Sequence, residues 1–503
     1  MKNKKYLFID IDDYHYENRI YQIDSDLYEQ YITLLNESKN FKIDVDILRF
    51  SKLYGKFDYK ISNLFKTIDK FVVYILNLKN LKFLNIHINY RNLLFALLIA
   101  EKVKNINKNI FIIFSGQYMK TLDFSEIKIV DYIDFVCTSK SCIQSFCKLN
   151  RSKFLKLNKV DTLEKIKFEY KVFDNINLLR EVVNIKVGEG CLFNCHYCTF
   201  KNFYSRYHQM NFIEIIDIMN KYNLVYGTNR FIFNHELFIC DNFKLKNFCY
   251  ELINNKYIFK WSCSTRIEFL NFENINLLKN SGCDCLFIGL ESGSKVTQKK
   301  MNKNIKIDNI LSTIELLSKS NINAIFSFIY KYPTETREDL IETFKLMFKI
   351  KTIEIKNKKS IFMYELSKIN FFPNTLITHK YYDRLNFDIY KNYDILYFPN
   401  EIVKFIENNK KIFTNYFNLS ENISELYVRF DEFVLFIFNE YIYIYYNKVR
   451  EIFEKYSYDI LFLYAIILEN YRDEVYEILD KNDNVNIDND KNEKFNKLVN
   501  KIL

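Results

Sequence analysis

The pattern of apolar and polar positions divides the chain into three parts. From residue 1 to about 150, short apolar runs (KYLFIDI, IDVDIL, FVVYIL, FLNIHI, IFIIFSG, DFVCTS) alternate with helix-like stretches such as LLFALLIAEKVKN. Runs of about four to eight residues, rich in Ile, Val and Phe and without strict alternation, are what strands buried on both faces look like. They predict a doubly wound, Rossmann- or flavodoxin-like α/β domain over 1–150. A charged connector, roughly 151–180, leads to a second series over 181–384: VNIKV, RFIFN, IFKWSCS, CLFIGL, AIFSFIY and SIFMYEL, separated by room for one helix each. These repeats predict a partial (β/α)6 barrel, whose chemistry belongs at the carboxyl ends of its strands. After about 385 the pattern changes to long aromatic, helix-like segments such as EYIYIYYNKVREIFEKY. They predict a helical cap over 385–503 that ends in a solvated, partly disordered tail.

Composition narrows the picture. With 503 residues, 49% of them apolar and 17% aromatic, the chain can fill more than one core. Its longest apolar runs, LLFALLIA and ILFLYAIIL, fall far short of a membrane span, and no secretory signal is evident at its start. A soluble, cytoplasmic protein without a membrane partner is the expectation. The formal charge of +10 comes from 72 basic and 62 acidic residues interleaved along the chain, which reads as a solvated surface rather than a nucleic-acid face. Eleven cysteines, an odd number, argue for reduced thiols rather than a disulfide framework. Five of the eight glycines (Gly188, Gly190, Gly282, Gly289 and Gly293) fall in two short stretches, where a backbone must turn or pass close to a ligand.

One of those stretches, GEGCLFNCHYC at 188–198, follows the strand-like VNIKV and places Cys191, Cys195 and Cys198 at C-x3-C-x2-C. A structural zinc site closes with four ligands, for which His196 or His208 is the nearest candidate. A [4Fe–4S] cluster with one iron left open suits three thiolates without an evident fourth ligand. Buried structural thiols are the remaining reading.

With Tyr197 included, C-x3-C-x-aromatic-C resembles the signature of radical S-adenosylmethionine enzymes. The resemblance implies a [4Fe–4S] cluster on Cys191, Cys195 and Cys198, whose open iron chelates the amino and carboxylate groups of S-adenosylmethionine. An electron, from a donor such as flavodoxin or ferredoxin, then cleaves the cofactor to methionine and a 5′-deoxyadenosyl radical. The likeness continues through FIFNHELF, WSCSTR and SGCDCLFIGLESGS. It implies Tyr197 beside the adenine, Glu236 at the methionyl amino group, Arg266 at the methionyl carboxylate and Glu291 at the ribose hydroxyls, with Gly289 letting the backbone come close. YPTETREDL and FFPNTLI resemble two further segments of the family, with Lys331, Thr334 and Asn374 standing where glycines are expected.

A doubly wound domain ahead of such a barrel resembles the cobalamin-binding-domain class of these enzymes. FIIFSGQYM, with Gly116, resembles one of its segments, and DDYHYEN places Asp13, His15 and Asn18 at D-x-H-x-x-N, close to a motif whose histidine can ligate cobalt. The resemblance implies a radical enzyme acting on a small-molecule or peptide substrate. With cobalamin it would transfer a methyl group to an unactivated carbon, and without it carry out a non-methylating radical modification. A scaffold that has lost its cofactors is the non-enzymatic reading. A methylthiotransferase is disfavoured, because Cys137, Cys142 and Cys147 lie in one helix-like stretch without a second-cluster pattern. The residues that act on the substrate are not readable from the sequence.

Overall fold

In the computed structural model, which describes residues 5–10, 44–49, 61–90, 92–122, 132–137, 182–204, 206–390, 398–480 and 489–502, two parallel sheets organise two units. The first unit comprises Met1–Asp174, Phe372–Asn374 and Asp394–Phe417, and the second Asn175–Phe371, Thr375–Tyr393 and Asn418–Leu503. The described residues 398–417 group with the N-terminal unit.

In the first unit, strands β1 (Lys5–Asp10), β2 (Asp44–Arg49), β3 (Leu81–His87), β4 (Phe111–Ser115) and β5 (Phe135–Cys137) pair in parallel in the order β2-β1-β3-β4-β5. That is the doubly wound order of flavodoxin-like sheets. Residues 83–87 of β3 are all buried, as the unbroken apolar run predicts. The run FVVYIL is not a strand but part of the helix Ile61–Asn77. Ile68, Phe71, Val72 and Ile75 are buried while Val73 and Tyr74 face out, a spacing of three and four that only a helix produces. The connector 151–180 lies outside the described residues.

In the second unit, β6 (Val183–Lys186) is followed by a short antiparallel ribbon of β7 (Gly188–Glu189) and β8 (His208–Gln209). Strands β9 (Arg230–Asn234), β10 (Lys260–Thr265), β11 (Cys283–Glu291), β12 (Asn323–Tyr330) and β13 (Phe362–Lys368) complete a six-stranded parallel sheet. Its order, β6-β9-β10-β11-β12-β13, follows the chain, so every carboxyl end opens on the same side. Fully buried Trp261 stacks on Phe233 with ring centroids 5.2 Å apart and donates its indole N–H to the Ser281 carbonyl at 3.0 Å. The one polar side-chain atom of Trp261 is thereby satisfied.

Helices Phe430–Phe436, Ile442–Lys455 and Ile460–Asp480 form the C-terminal region. Residues 481–488 of the expected disordered tail lie outside the described residues, but from Asn489 to Ile502 the chain is a helix that buries Phe495, Leu498 and Val499 on one face. Its three apolar side chains at helical spacing gain a partner surface that the polar composition conceals.

Lys331, Thr334 and Asn374, the residues at expected glycine positions, all keep the left-handed backbone, with φ of 60°, 68° and 61°. A β-branched side chain is poorly suited to that region. Thr334 is exposed, so Thr334→Gly should raise unfolding free energy by about 1 kcal/mol. Urea unfolding monitored by circular dichroism checks this, and a destabilised variant would show that the threonine side chain has a role the strain conceals.

Candidate active site

The cysteine loop leaves the sheet at the carboxyl end of β6. Gly190, at φ 81°, has no room for a side chain, since a Cβ would lie 2.8 Å from the Arg206 carbonyl. Its amide donates to Glu236 Oε2 at 3.0 Å, so the residue before Cys191 also orients the carboxylate that follows β9. Burial lifts the Glu236 carboxyl to about 7. Cys191, Cys195 and Cys198 are free thiols, all partly exposed. Their loop is anchored by His196 N–H donating to the Met301 carbonyl (3.0 Å), Asn302 Nδ2 donating to the Asn194 carbonyl (2.9 Å) and Ile377 N–H donating to the His196 carbonyl (3.0 Å).

His196, a candidate fourth zinc ligand, has its Nδ1 3.0 Å from the Lys300 carbonyl. Among the described residues, no three His, Cys, Asp or Glu side chains close on a single ion. Thiolates that bind separate irons of one cluster need no such convergence. Burial pushes Cys198 up to about 12 and raises Cys195 as well, the latter against the opposing charges of Lys303 and Arg266. As free thiols both stay protonated near neutral pH, and a metal's positive charge is what converts such groups to thiolates.

Arg266 follows β10 and is buried. Its Nη2 donates to Glu268 Oε1 and to the Lys303 carbonyl, both at 2.5 Å, and its guanidinium lies 3.8 Å from the ring centroid of Phe193 in the cysteine loop. Glu291 ends β11 at a break in register with β12, between Gly289 and Glu291, and adopts φ 68°. Such a bulge re-aims a side chain at the sheet's rim. Glu291 and Lys303 are 6% and 8% exposed, and Lys303 Nζ donates to Glu291 Oε1 at 3.0 Å. Burial opposes the Lys303 charge, but Glu291 and Cys195 beside it hold its pKa above the usual lysine value. Gly289 makes room for this pair: a Cβ there would lie 2.4 Å from Glu291 Oε1 and 2.8 Å from Lys303 Nζ.

Glu291 Oε2 is buried without a hydrogen-bond partner. An orphaned carboxylate oxygen is costly and marks a place where a donor belongs. The Tyr197 phenol lies beside it, and burial, then the Glu291 charge, hold that phenol well above its ordinary pKa. The loop after Glu291 is braced from behind. Gln298 Nε2 donates to the Leu290 and Ser292 carbonyls at 2.5 and 2.7 Å, and Gly293 N–H donates to Thr343 Oγ1 at 3.0 Å.

The second unit therefore links Cys195, Tyr197, Arg266, Gly289 and Glu291 through Lys303, and joins Glu236 to the cysteine loop through Gly190. Lys303 and Phe193 escaped the sequence reading. Lys303 lies twelve residues beyond its partner, with no periodicity connecting them. Its one local signal is the pair of flanking asparagines, Asn302 and Asn304, both left-handed at φ 54° and 57°. In the first unit, Gly116 follows β4 at φ 122°. Asp13 and His15 lie outside the described residues.

Residues 185–347 match the Radical SAM superfamily. An uncharacterized methyltransferase of Pyrococcus horikoshii is 23% identical over 167 residues, 33% of this chain and 36% of that protein. The anaerobic magnesium-protoporphyrin IX monomethyl ester cyclase of Rubrivivax gelatinosus is 25% identical over 180 residues, 35% of this chain and 32% of the cyclase. The matched region thus spans about a third of these curated relatives. Among solved structures, the cobalamin-dependent S-adenosylmethionine radical enzyme OxsB, with aqua-cobalamin and S-adenosylmethionine bound, shares the fold over 99% of this chain and 83% of its own, at TM-score 0.55 and 12% identity. The radical S-adenosylmethionine methyltransferase TsrM from Kitasatospora setae, with cobalamin and a [4Fe-4S] cluster bound, aligns over 75% of this chain and 77% of its own, at TM-score 0.51 and 12% identity. The likeness to the radical S-adenosylmethionine superfamily is thus carried by residues 185–347, the barrel part of the chain.

Proposed function

We propose that the protein reductively cleaves S-adenosylmethionine at a [4Fe–4S] cluster held by Cys191, Cys195 and Cys198, and uses the resulting 5′-deoxyadenosyl radical on a small-molecule or peptide substrate. The observation that carries this reading is the buried Glu291 carboxylate, set beside Tyr197 and paired with Lys303 behind the cysteine loop. The cluster would supply the electron, and the sulfonium cofactor the bond that breaks. The chain's own residues bind and orient. Glu236, aimed by the Gly190 amide, would accept from the methionyl ammonium, and Arg266, whose Nε and Nη2 bond Glu268 and the Lys303 carbonyl, would offer its Nη1 to the methionyl carboxylate. Glu291 Oε2 would accept from a ribose hydroxyl, and Tyr197 would flank the adenine.

Anaerobically reconstituted protein given dithionite and S-adenosylmethionine should release 5′-deoxyadenosine without any substrate. Glu291→Ala and Arg266→Ala should each weaken cofactor binding by about 1–3 kcal/mol, the cost of removing a hydrogen bond to a charged or buried partner. Undiminished turnover by both variants at limiting cofactor would show that the pocket lies elsewhere.

A second, finer reading is cobalamin-dependent methyl transfer, favoured by the flavodoxin-like order of the first sheet and the fold likeness to OxsB over 99% of the chain. Gly116, at the carboxyl end of β4, lies where ligands bind in doubly wound sheets. Stoichiometric hydroxocobalamin retained after desalting supports it. Deoxyadenosine release from protein that never retains the corrinoid would leave the non-methylating chemistry in first place.

A further inference from the structure

We propose that the mouth of strands β12 and β13 is an anion subsite built on Lys331 and Lys368, which receives a carboxylate or phosphate group of the substrate; this rests on reading the barrel as the chamber where substrate is processed. Lys331 directly follows β12 and Lys368 closes β13, with Tyr330 paired to Lys368 in register. Both lysines therefore leave the sheet on its carboxyl side, the side on which the cysteine loop begins.

Their ammonium groups converge on one ring. Lys331 Nζ lies 4.6 Å and Lys368 Nζ 5.4 Å from the ring centroid of Tyr427. Two like charges brought together cost energy unless an anion offsets them. Burial holds the Lys368 pKa below its usual value, and the Lys331 charge pushes it the same way.

The carboxylates nearby answer one of the two charges. Lys368 Nζ pairs with Asp388 Oδ2 at 2.7 Å, and fully buried Asp388 also accepts from Asn418 Nδ2 (3.4 Å) and the Tyr390 amide (3.1 Å). Asp431, which burial lifts to about 6, accepts from backbone amides at the start of its own helix. Glu335 takes the Lys331 amide at 2.6 Å, but burial lifts its carboxyl to about 8 and leaves it largely uncharged at neutral pH. Among the described residues, no carboxylate lies within ion-pair distance of the Lys331 ammonium, which packs on the Tyr427 ring and interacts with the Glu335 carboxyl only through space. Lys331 also occupies φ 60°, where glycine would be relaxed. A strained backbone that keeps a cation at the barrel mouth is the pattern expected of a binding residue.

The test uses the full-length reconstituted protein and two probe anions, inorganic phosphate and acetate, titrated at constant ionic strength against chloride while thermal unfolding is followed. At least one should raise the wild-type melting temperature saturably. Lys331→Gly removes the charge and relaxes the backbone, so the variant should be at least as stable without anion yet need at least tenfold more anion for the same shift. A response to phosphate alone identifies a phosphorylated substrate, and one to acetate alone a carboxylate. The proposal is overturned if neither anion stabilises the wild type, or if Lys331→Gly responds equally. Substrate-free deoxyadenosine release is measured in parallel on the wild type. Wild-type protein that releases none would sink the proposed activity, whereas the anion titration alone decides the subsite.

Discussion

Cys195→Ala should leave a folded protein that cannot be loaded with a cluster and releases no detectable 5′-deoxyadenosine. Three thiolates are the minimum set for a [4Fe–4S] cluster with one open iron, and losing one leaves two corners to bulk ligands. Cys195 is the most telling of the three, because it borders both Lys303 and Arg266. Iron and sulfide content after anaerobic reconstitution, with broad visible absorption, reads the loading directly. About four irons per chain in the wild type and near none in Cys195→Ala is the expected result. A variant that retains the full iron complement would place the cluster on other cysteines. Circular dichroism should be unchanged, since a partly exposed loop thiol contributes little to the core.

Lys303→Met should be the most destabilising single change at the site. It strands the 6% exposed Glu291 carboxylate without its counter-charge, and breaking a buried pair from one side typically costs about 3–5 kcal/mol. Adding Glu291→Gln removes the stranded charge and should recover most of that loss. The two variants then separate stability from function. The double variant should still bind S-adenosylmethionine more weakly than wild type, because a neutral amide oxygen replaces the charged ribose acceptor. Chemical denaturation paired with equilibrium dialysis of the cofactor makes the comparison. If Lys303→Met unfolds at the wild-type midpoint, the ion pair is not formed in solution and the pocket is arranged differently.

Much of the architecture is legible in the chain. Every strand of the barrel begins or ends within about three residues of an apolar run, because alternate residues of these strands are buried on the core face. The superfamily signature is equally local, since three thiols within eight residues can act together whatever the rest of the chain does. FVVYIL fails for the converse reason. A six-residue apolar run suits a buried strand or one face of a helix alike, and burial at Ile68, Phe71, Val72 and Ile75 decides for the helix. The tail fails similarly, its three apolar positions being too sparse to signal a helix until a surface exists to receive them.

The sequence by itself determined the two parallel sheets and the strand end at which the three closely spaced thiols stand. These follow from periodicity and spacing, which act along the chain. Only the tertiary structure decided which charges answer one another. Lys303 finds Glu291 across a helix and a turn, Arg266 lies over Phe193 from another strand, and Lys331 and Lys368 both approach the Tyr427 ring. Coulomb energy depends on distance and burial rather than on separation along the chain, so these pairings exist only once the barrel has brought its strand ends together.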